Sequence, residues 1–182
     1  MKNYRLALKK LLQPNEIHDS VDDIDLDGLQ DKGIKYLVLD VDNTLLSYDE
    51  KELSLQKQAW IQSVKSMGFT IVLVSNNSNG RRIQKVATQI DVPGTYFSLK
   101  PFSINAEYLK AHFFIEFEQA AVVGDQVLTD VIFGNWQNAH TILVSPLAKK
   151  HSAFKRLQYK LESYLLKTLD IYQAPVKGFP NI

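Results

Sequence analysis

A chain of 182 residues, 45% hydrophobic and 23% charged, has the length and balance of one globular domain with enough chain to bury a real core. Its formal net charge of +1 argues against a protein built mainly to bind nucleic acid, and the absence of cysteine excludes disulfides, thiolate metal sites and a cysteine nucleophile. No apolar run is long enough to cross a bilayer, and the basic start (Lys2, Arg5, Lys9, Lys10) leads into no signal-peptide core, so a cytoplasmic location is expected.

Met1 to Leu12 reads as a basic amphipathic helix, and Glu16 to Asp31 is strongly acidic. YLVLDV (36 to 41) is continuous in apolar residues, as a buried parallel strand is. Leu53 to Met67 reads as a helix with Leu55, Ala59, Trp60 and Val64 on its apolar stripe, stopped by Gly68. FTIVLVS (69 to 75) is a second buried strand. A turn cluster from Asn76 to Gly80 follows, with Ser78 a capping candidate, and then a helix from Arg81 to Ile90. Thr95 to Leu99 reads as a short extended piece ending at Lys100-Pro101, and Ile104 to Phe114 as a third helix. AAVVG (120 to 124) is a core strand, Asp125 to Asn138 a turn leading into helix, and HTILVS (140 to 145) a last strand. The chain then enters a helix from Ala148 to about Tyr172. Phe154, Leu157, Leu161, Tyr164, Leu165 and Thr168 lie on one of its faces, with Lys155, Arg156 and Lys160 on another.

Alternating strands and helices with short connections predict an α/β fold, a Rossmann-like parallel sheet with helices on both faces. The core is residues 34 to 146 of a single domain spanning 1 to 182, with helical extensions at both ends. Parallel strands end on one side of the sheet, where open α/β sheets bind ligands. Four such ends carry polar groups: Asp40, Asp42 and Thr44; Ser75 and Asn76; Lys100; Asp125 with Asp130. Two carboxylates two residues apart share a face of an extended chain, and a cation is the natural remedy for their repulsion. Mg²⁺ favours one or two carboxylates together with waters and a substrate phosphate. Lysine and hydroxyl groups suit phosphoryl oxygens. One carboxylate can act as nucleophile through an aspartyl-phosphate while another exchanges protons with the leaving alcohol and with water.

These segments, DVDNT (40 to 44), VSNN (74 to 77), LKP (99 to 101) and GDQVLTD (124 to 130), stand in the order of the four motifs of the haloacid-dehalogenase (HAD) superfamily, which the chain resembles across its core. The DNTL and GDQxxTD wordings and the size are most similar to the YqeG-type HAD IIIA branch, with its related phosphatidylglycerophosphate phosphatases. The resemblance implies Asp40 as nucleophile and Mg²⁺ ligand. It implies Asp42 as general acid/base and as a ligand through its main-chain carbonyl, and Asp125 completing the Mg²⁺ site. Thr44, Ser75 and Asn76 would meet the phosphoryl group, and Lys100 would steady nucleophile and phosphate. Asp130 is left as either a nearby acidic partner or a first-turn helix residue.

No cap domain fits the segments after the first and second motifs, and an open site suits a bulky or surface-bound phosphomonoester such as a lipid phosphate. The basic terminal helices are compatible with peripheral membrane contact, though packing on the domain is the commoner use of such a stripe. A phospho-accepting signalling domain and a non-catalytic binding domain remain as alternatives on the same type of fold. Arg81 and Arg82 read as a solvated helix face, and the scattered histidines as structural. Tyr96, Phe97, Phe102, Phe113 and Phe114 read as core and rim packing. No GxxxxGK[ST] loop is present. The substrate and oligomeric state are open at this level.

Overall fold

The structure, a computed structural model, describes residues 2–102, 104–147, 153–169 and 171. Six strands form one sheet: β1 (Glu16–His18), β2 (Tyr36–Leu39), β3 (Thr70–Val74), β4 (Gly94–Thr95), β5 (Ala120–Gly124) and β6 (His140–Val144). Their order is β1-β6-β5-β2-β3-β4, and every neighbouring pair is parallel. The helices are α1 (Lys2–Leu12), α2 (Leu26–Asp31), α3 (Leu55–Ser66), α4 (Gly80–Ile90), α5 (Ile104–Phe113), α6 (Ile132–Trp136) and α7 (Ala153–Thr168).

The continuous apolar runs of the central strands follow from their burial on both faces. Leu37, Leu39, Ile71, Leu73, Ala121 and Val123 pack against Trp60, Ile61 and Val64 of α3 and Ile83 and Val86 of α4. The alternate residues Val38, Val72, Val74 and Val122 meet Ala106 and Leu109 of α5 and Phe133 of α6. Leu143 packs with Leu12 of α1, Val127, Val131, and Leu166 and Leu169 of α7. Ser54 caps α3 by accepting from Lys57 N–H. Asn79, rather than the expected Ser78, caps α4 by accepting from Arg82 N–H.

The expected strands and helices are present, with ends shifted by one or two residues, and four differences matter. The extended piece expected at 95 to 99 shrinks to Gly94–Thr95, because Phe97 (φ 53°) and Leu99 (φ 54°) adopt left-handed backbone that no strand can continue. Edge strand β1 was not expected; it joins β6 through pairs such as Ile17 with Leu143. Tyr96, Phe97, Phe102 and Phe114 are exposed instead of packed, while Phe113 is partly buried. Finally, α7 turns a different face inward: Tyr159, Glu162, Leu166 and Leu169 are buried, whereas Leu157, Leu161 and Tyr164 of the expected stripe are exposed. Residues 148 to 152, 170 and 172 of the expected helix, and the side chains of Phe154, Lys155 and Arg156, lie outside the described residues.

Between the first and second motifs lie a turn and α3, and between the second and third lie α4 and β4, so no cap domain is inserted. Among the described residues no helix is long and apolar enough to cross a membrane.

Candidate active site

The carboxyl ends of β2, β3 and β5 meet in one crevice, as expected. Asp40 follows β2 directly, its N–H still donating to Val123 C=O (2.9 Å), which aims its buried side chain out of the sheet edge. The chain then bends sharply. Asn43 sits at φ 68°, a conformation asparagine tolerates better than most side chains, and Leu45 N–H and Leu46 N–H both bond back to Val41 C=O. That bend returns Asp42 and Thr44 to the crevice.

Lys100 is the hub of the site. A lysine ammonium has three donors, and all three are used: on Asp40 Oδ1 (2.8 Å), Val74 C=O (2.9 Å) and Asp130 Oδ1 (2.5 Å). Burial opposes its charge, but the Asp130 and Asp40 carboxylates outweigh burial and raise its pKa. Asn76 holds the Lys100 backbone in a two-bond clasp, donating from Nδ2 to Lys100 C=O (2.9 Å) and accepting at Oδ1 from Lys100 N–H (2.7 Å).

Asp130 belongs to the site, with Oδ2 accepting from Gln126 N–H (3.2 Å) and Thr129 Oγ1 (3.2 Å). Gly124 lets it approach: a Cβ there would lie 2.2 Å from Asp130 Cγ. Burial pushes the Asp40 pKa up to about 8, the Lys100 charge opposing and the Asp130 and Asp125 charges adding to the rise.

Asp42 is held by three side chains. Ser75 Oγ (3.4 Å) and Asn77 Nδ2 (2.7 Å) donate to its Oδ2, and Arg82 Nε (2.9 Å) pairs with its Oδ1. Arg82 also donates to Ser47 C=O (2.7 Å) and Glu50 C=O (2.5 Å), tying the loop after the first motif to α4. The reading of Arg82 as solvated is therefore corrected, while Arg81 is exposed. Arg82 was legible only in hindsight, as a cation in the first turn of a helix starting at the sheet's carboxyl edge. Asn77 reaches Asp42 while Asn76 turns to the Lys100 backbone, a division that spacing alone cannot tell between two adjacent asparagines.

Asp125 is fully buried, accepting from Tyr159 O–H (2.5 Å) at Oδ2 and Gln126 Nε2 (3.3 Å) at Oδ1. Tyr159 lies on α7, and nothing in its sequence spacing pointed to the site. Tyr48, beside the crevice, has its phenol pKa raised by burial and by the Asp125, Asp42 and Asp40 charges.

Two observations bear on a divalent cation. Asp40, Asp42 and Asp130 pair with Lys100 and Arg82, and the Asp130 and Asp125 charges bear on Asp40, a gathering of carboxylates whose repulsion a divalent ion would relieve. Thr44 Oγ1 is buried and has no hydrogen-bond partner among the described residues, as expected of a group whose partner is a ligand. Among the described residues no three carboxylate or histidine side chains form a metal cage by themselves. The residues thus fit an ion that takes one or two carboxylates and completes its shell with waters and a phosphate, the style in which Mg²⁺ is usually bound.

Residues 4–147 match the family model described as mitochondrial PGP phosphatase. The chain is 31% identical over 162 residues to the "Probable phosphatase YqeG" of Bacillus subtilis, covering 89% of this chain and 94% of that one. It is 30% identical over 160 residues to the chloroplastic phosphatidylglycerophosphate phosphatase 1 of Chlamydomonas reinhardtii, covering 84% of this chain but 58% of the algal protein. Among solved structures, the cobalt-bound deoxy-D-mannose-octulosonate 8-phosphate phosphatase of Haemophilus influenzae shares the fold, with TM-score 0.50 and 13% identity. That match covers 76% of this chain and 91% of that one.

Proposed function

The chain belongs to the mitochondrial PGP phosphatase family and is a YqeG-type phosphomonoester hydrolase of the HAD fold, and from that premise we propose that it dephosphorylates a lipid phosphomonoester such as phosphatidylglycerophosphate through a phospho-Asp40 intermediate. The observation that carries the chemistry is Lys100, its three donors spent on Asp40, Asp130 and a main-chain carbonyl, beside the unpartnered hydroxyl of Thr44.

Lys100 holds one oxygen of Asp40 and leaves the other for in-line attack on phosphorus. Thr44 Oγ1 and Ser75 Oγ donate to phosphoryl oxygens as charge builds there. Asp42, oriented by Asn77 and Arg82, protonates the alcohol oxygen as its bond to phosphorus breaks. It then takes a proton from the water that attacks the phosphorus of phospho-Asp40, which releases phosphate and restores the carboxylate. Asp40, Asp125 and the Asp42 carbonyl would hold Mg²⁺, which supplies charge neutralisation and alignment for the transferred phosphoryl group. Asn76 serves by fixing Lys100.

The lipid class is supported by the names of the plant-lineage relatives and by the site's rim. No cap domain is inserted between the motifs, and the segment around Lys100 exposes Tyr96, Phe97 (59%), Leu99 and Phe102 (61%). Such aromatic groups favour a membrane–water interface. Leu157, Leu161 and Tyr164 of α7, with exposed Lys160, form a second apolar and basic strip.

Phosphate release from phosphatidylglycerophosphate in mixed micelles, measured beside p-nitrophenyl phosphate with Mg²⁺ or EDTA, tests the proposal. Both substrates should be hydrolysed only with Mg²⁺, the lipid with the higher kcat/KM. Hydrolysis of soluble esters alone would move the substrate out of the lipid class.

A further inference from the structure

We propose that Tyr159 is a positioning residue for the cation site, so that α7, which lies beyond the 4–147 span of the family match, is a working part of the active site. The inference rests on the assignment of Asp125 as a metal ligand made above.

Tyr159 is 1% exposed, and its hydroxyl stands between the first and fourth motif loops. Asn43 Nδ2 donates to Tyr159 Oη (3.4 Å), and Tyr159 O–H donates to Asp125 Oδ2 (2.5 Å). A hydroxyl has one proton. Because the amide of Asn43 can only donate through Nδ2, the phenol proton is directed to Asp125. Asn43 is the left-handed residue of the bend that delivers Asp42 and Thr44. One hydroxyl therefore registers the two loops whose carboxylates would share the ion.

Two further contacts from α7 hold the same loop. Gln158 Nε2 donates to Gln126 Oε1 (2.6 Å), and the fully buried Glu162 accepts from Leu128 N–H through Oε1 (3.1 Å). Gln126 and Leu128 flank the first turn after Asp125, where the chain winds as a π-helix from Val127 to Val131. A helix that served only to cover Leu143 and Val131 would need an apolar face alone. This one buries a tyrosine hydroxyl and a carboxylate and half-buries an amide, each bonded to the fourth-motif loop. Hydrogen bonds that orient a ligating carboxylate tune the affinity of the site, and removing one costs about 10–100-fold in metal binding.

The test is isothermal titration calorimetry of the metal-free full chain with Mg²⁺, wild type against Tyr159→Phe, with thermal unfolding in EDTA as the control for folding. The ring is kept and only the hydroxyl is lost. Mg²⁺ should bind Tyr159→Phe about 10–100-fold more weakly, and turnover at saturating Mg²⁺ should fall far less than affinity does. A second readout needs no variant affinity: in a Tyr48→Phe background, which silences the other phenol beside the crevice, adding Mg²⁺ should give a near-ultraviolet tyrosine difference signal that the added Tyr159→Phe change removes. If Tyr159→Phe does not fold, that signal in Tyr48→Phe carries the test, and its absence on Mg²⁺ saturation overturns the proposal. Equal Mg²⁺ affinity in both folded proteins also overturns it while leaving the metal site standing. No Mg²⁺ binding by wild type would instead remove the metal reading and this inference with it.

Discussion

At Asp40 the chain spends stability on chemistry. Burial and the Asp130 and Asp125 carboxylates oppose ionisation strongly enough to push its pKa up to about 8, although Lys100 pulls the other way. A neutral isostere is then tolerated by the fold. Asp40→Asn should lower turnover of p-nitrophenyl phosphate by more than about 10³-fold while leaving the metal-free Tm at pH 7.5 unchanged or higher; a lower Tm with retained turnover would contradict both halves. The glycine before Asp125 makes the opposite kind of demand. Gly124→Ala would drive a Cβ to 2.2 Å from Asp130 Cγ. Overpacking of this kind costs about 1–3 kcal/mol, so both Tm and turnover should drop, and wild-type values for either would show that Asp130 can retreat freely. Single residues were unevenly legible in the sequence. Asp40, Asp42, Thr44, Ser75 and Asp125 converge because each closely follows an apolar strand, a pattern that spacing reveals, whereas Lys100 is brought in by the left-handed turns after β4. Arg82, Asn77 and Tyr159 reach the crevice from helices and loops whose orientation no local pattern records.

Among the elements, the edge strand β1 depends on one carboxylate. Glu16 meets Lys32 (2.6 Å), His140 (2.8 Å) and His18 (3.0 Å), and although burial opposes its charge these partners lower its pKa from 4.5 to about 2. The sign follows from linkage: a carboxylate with a depressed folded pKa stabilises the fold above its unfolded value and loses that contribution as pH falls through the folded one. Glu16→Gln should therefore cost about 1–3 kcal/mol at pH 6–7, and the gap from wild type should close between pH 4.5 and pH 2. Urea unfolding across that range measures it, and a pH-independent gap would contradict the linkage. β1 escaped the sequence reading because three residues in an acidic stretch show no apolar run. The rim segment was misread for a related reason: the apolar residues of Thr95 to Leu99 suit a strand, and the left-handed turns at Phe97 and Leu99 leave no compositional mark. In α7 the stripe was displaced because its buried row includes Glu162 and Tyr159, which bond to the fourth-motif loop through Oε1 and the phenol O–H. On the lipid reading, replacing Phe97 and Phe102 with Ser should weaken co-sedimentation with anionic vesicles and lipid hydrolysis while sparing p-nitrophenyl phosphate. Equal loss on both substrates would instead indicate damage to Lys100.

At the scale of the whole molecule, sheet order decides where chemistry can occur. The central strand β2 lies between β3 and β5, so their carboxyl ends bring the first, second and fourth motifs together, while the segment after β4 swings Lys100 in from the far side. Fold class and site location were legible because buried parallel strands are the plainest signal a sequence carries; the docking of the terminal helices was not, being a matter of tertiary packing. A ligand that binds only the folded state raises apparent stability, by about 2.7 kcal/mol at a hundredfold excess over Kd. Mg²⁺ should accordingly raise the Tm and EDTA should reverse both that rise and turnover; a Tm indifferent to Mg²⁺ would contradict a cation held by Asp40 and Asp125. The covalent step itself can be trapped. In Asp42→Asn, p-nitrophenyl phosphate, whose leaving group needs little protonation, should phosphorylate Asp40 faster than water can clear it. Acid quenching followed by borohydride reduces an acyl phosphate to the alcohol with loss of phosphate, and peptide mass spectrometry should then find homoserine at position 40. Unmodified Asp40, in protein shown to release p-nitrophenol in the same reaction, would contradict a phospho-Asp40 intermediate.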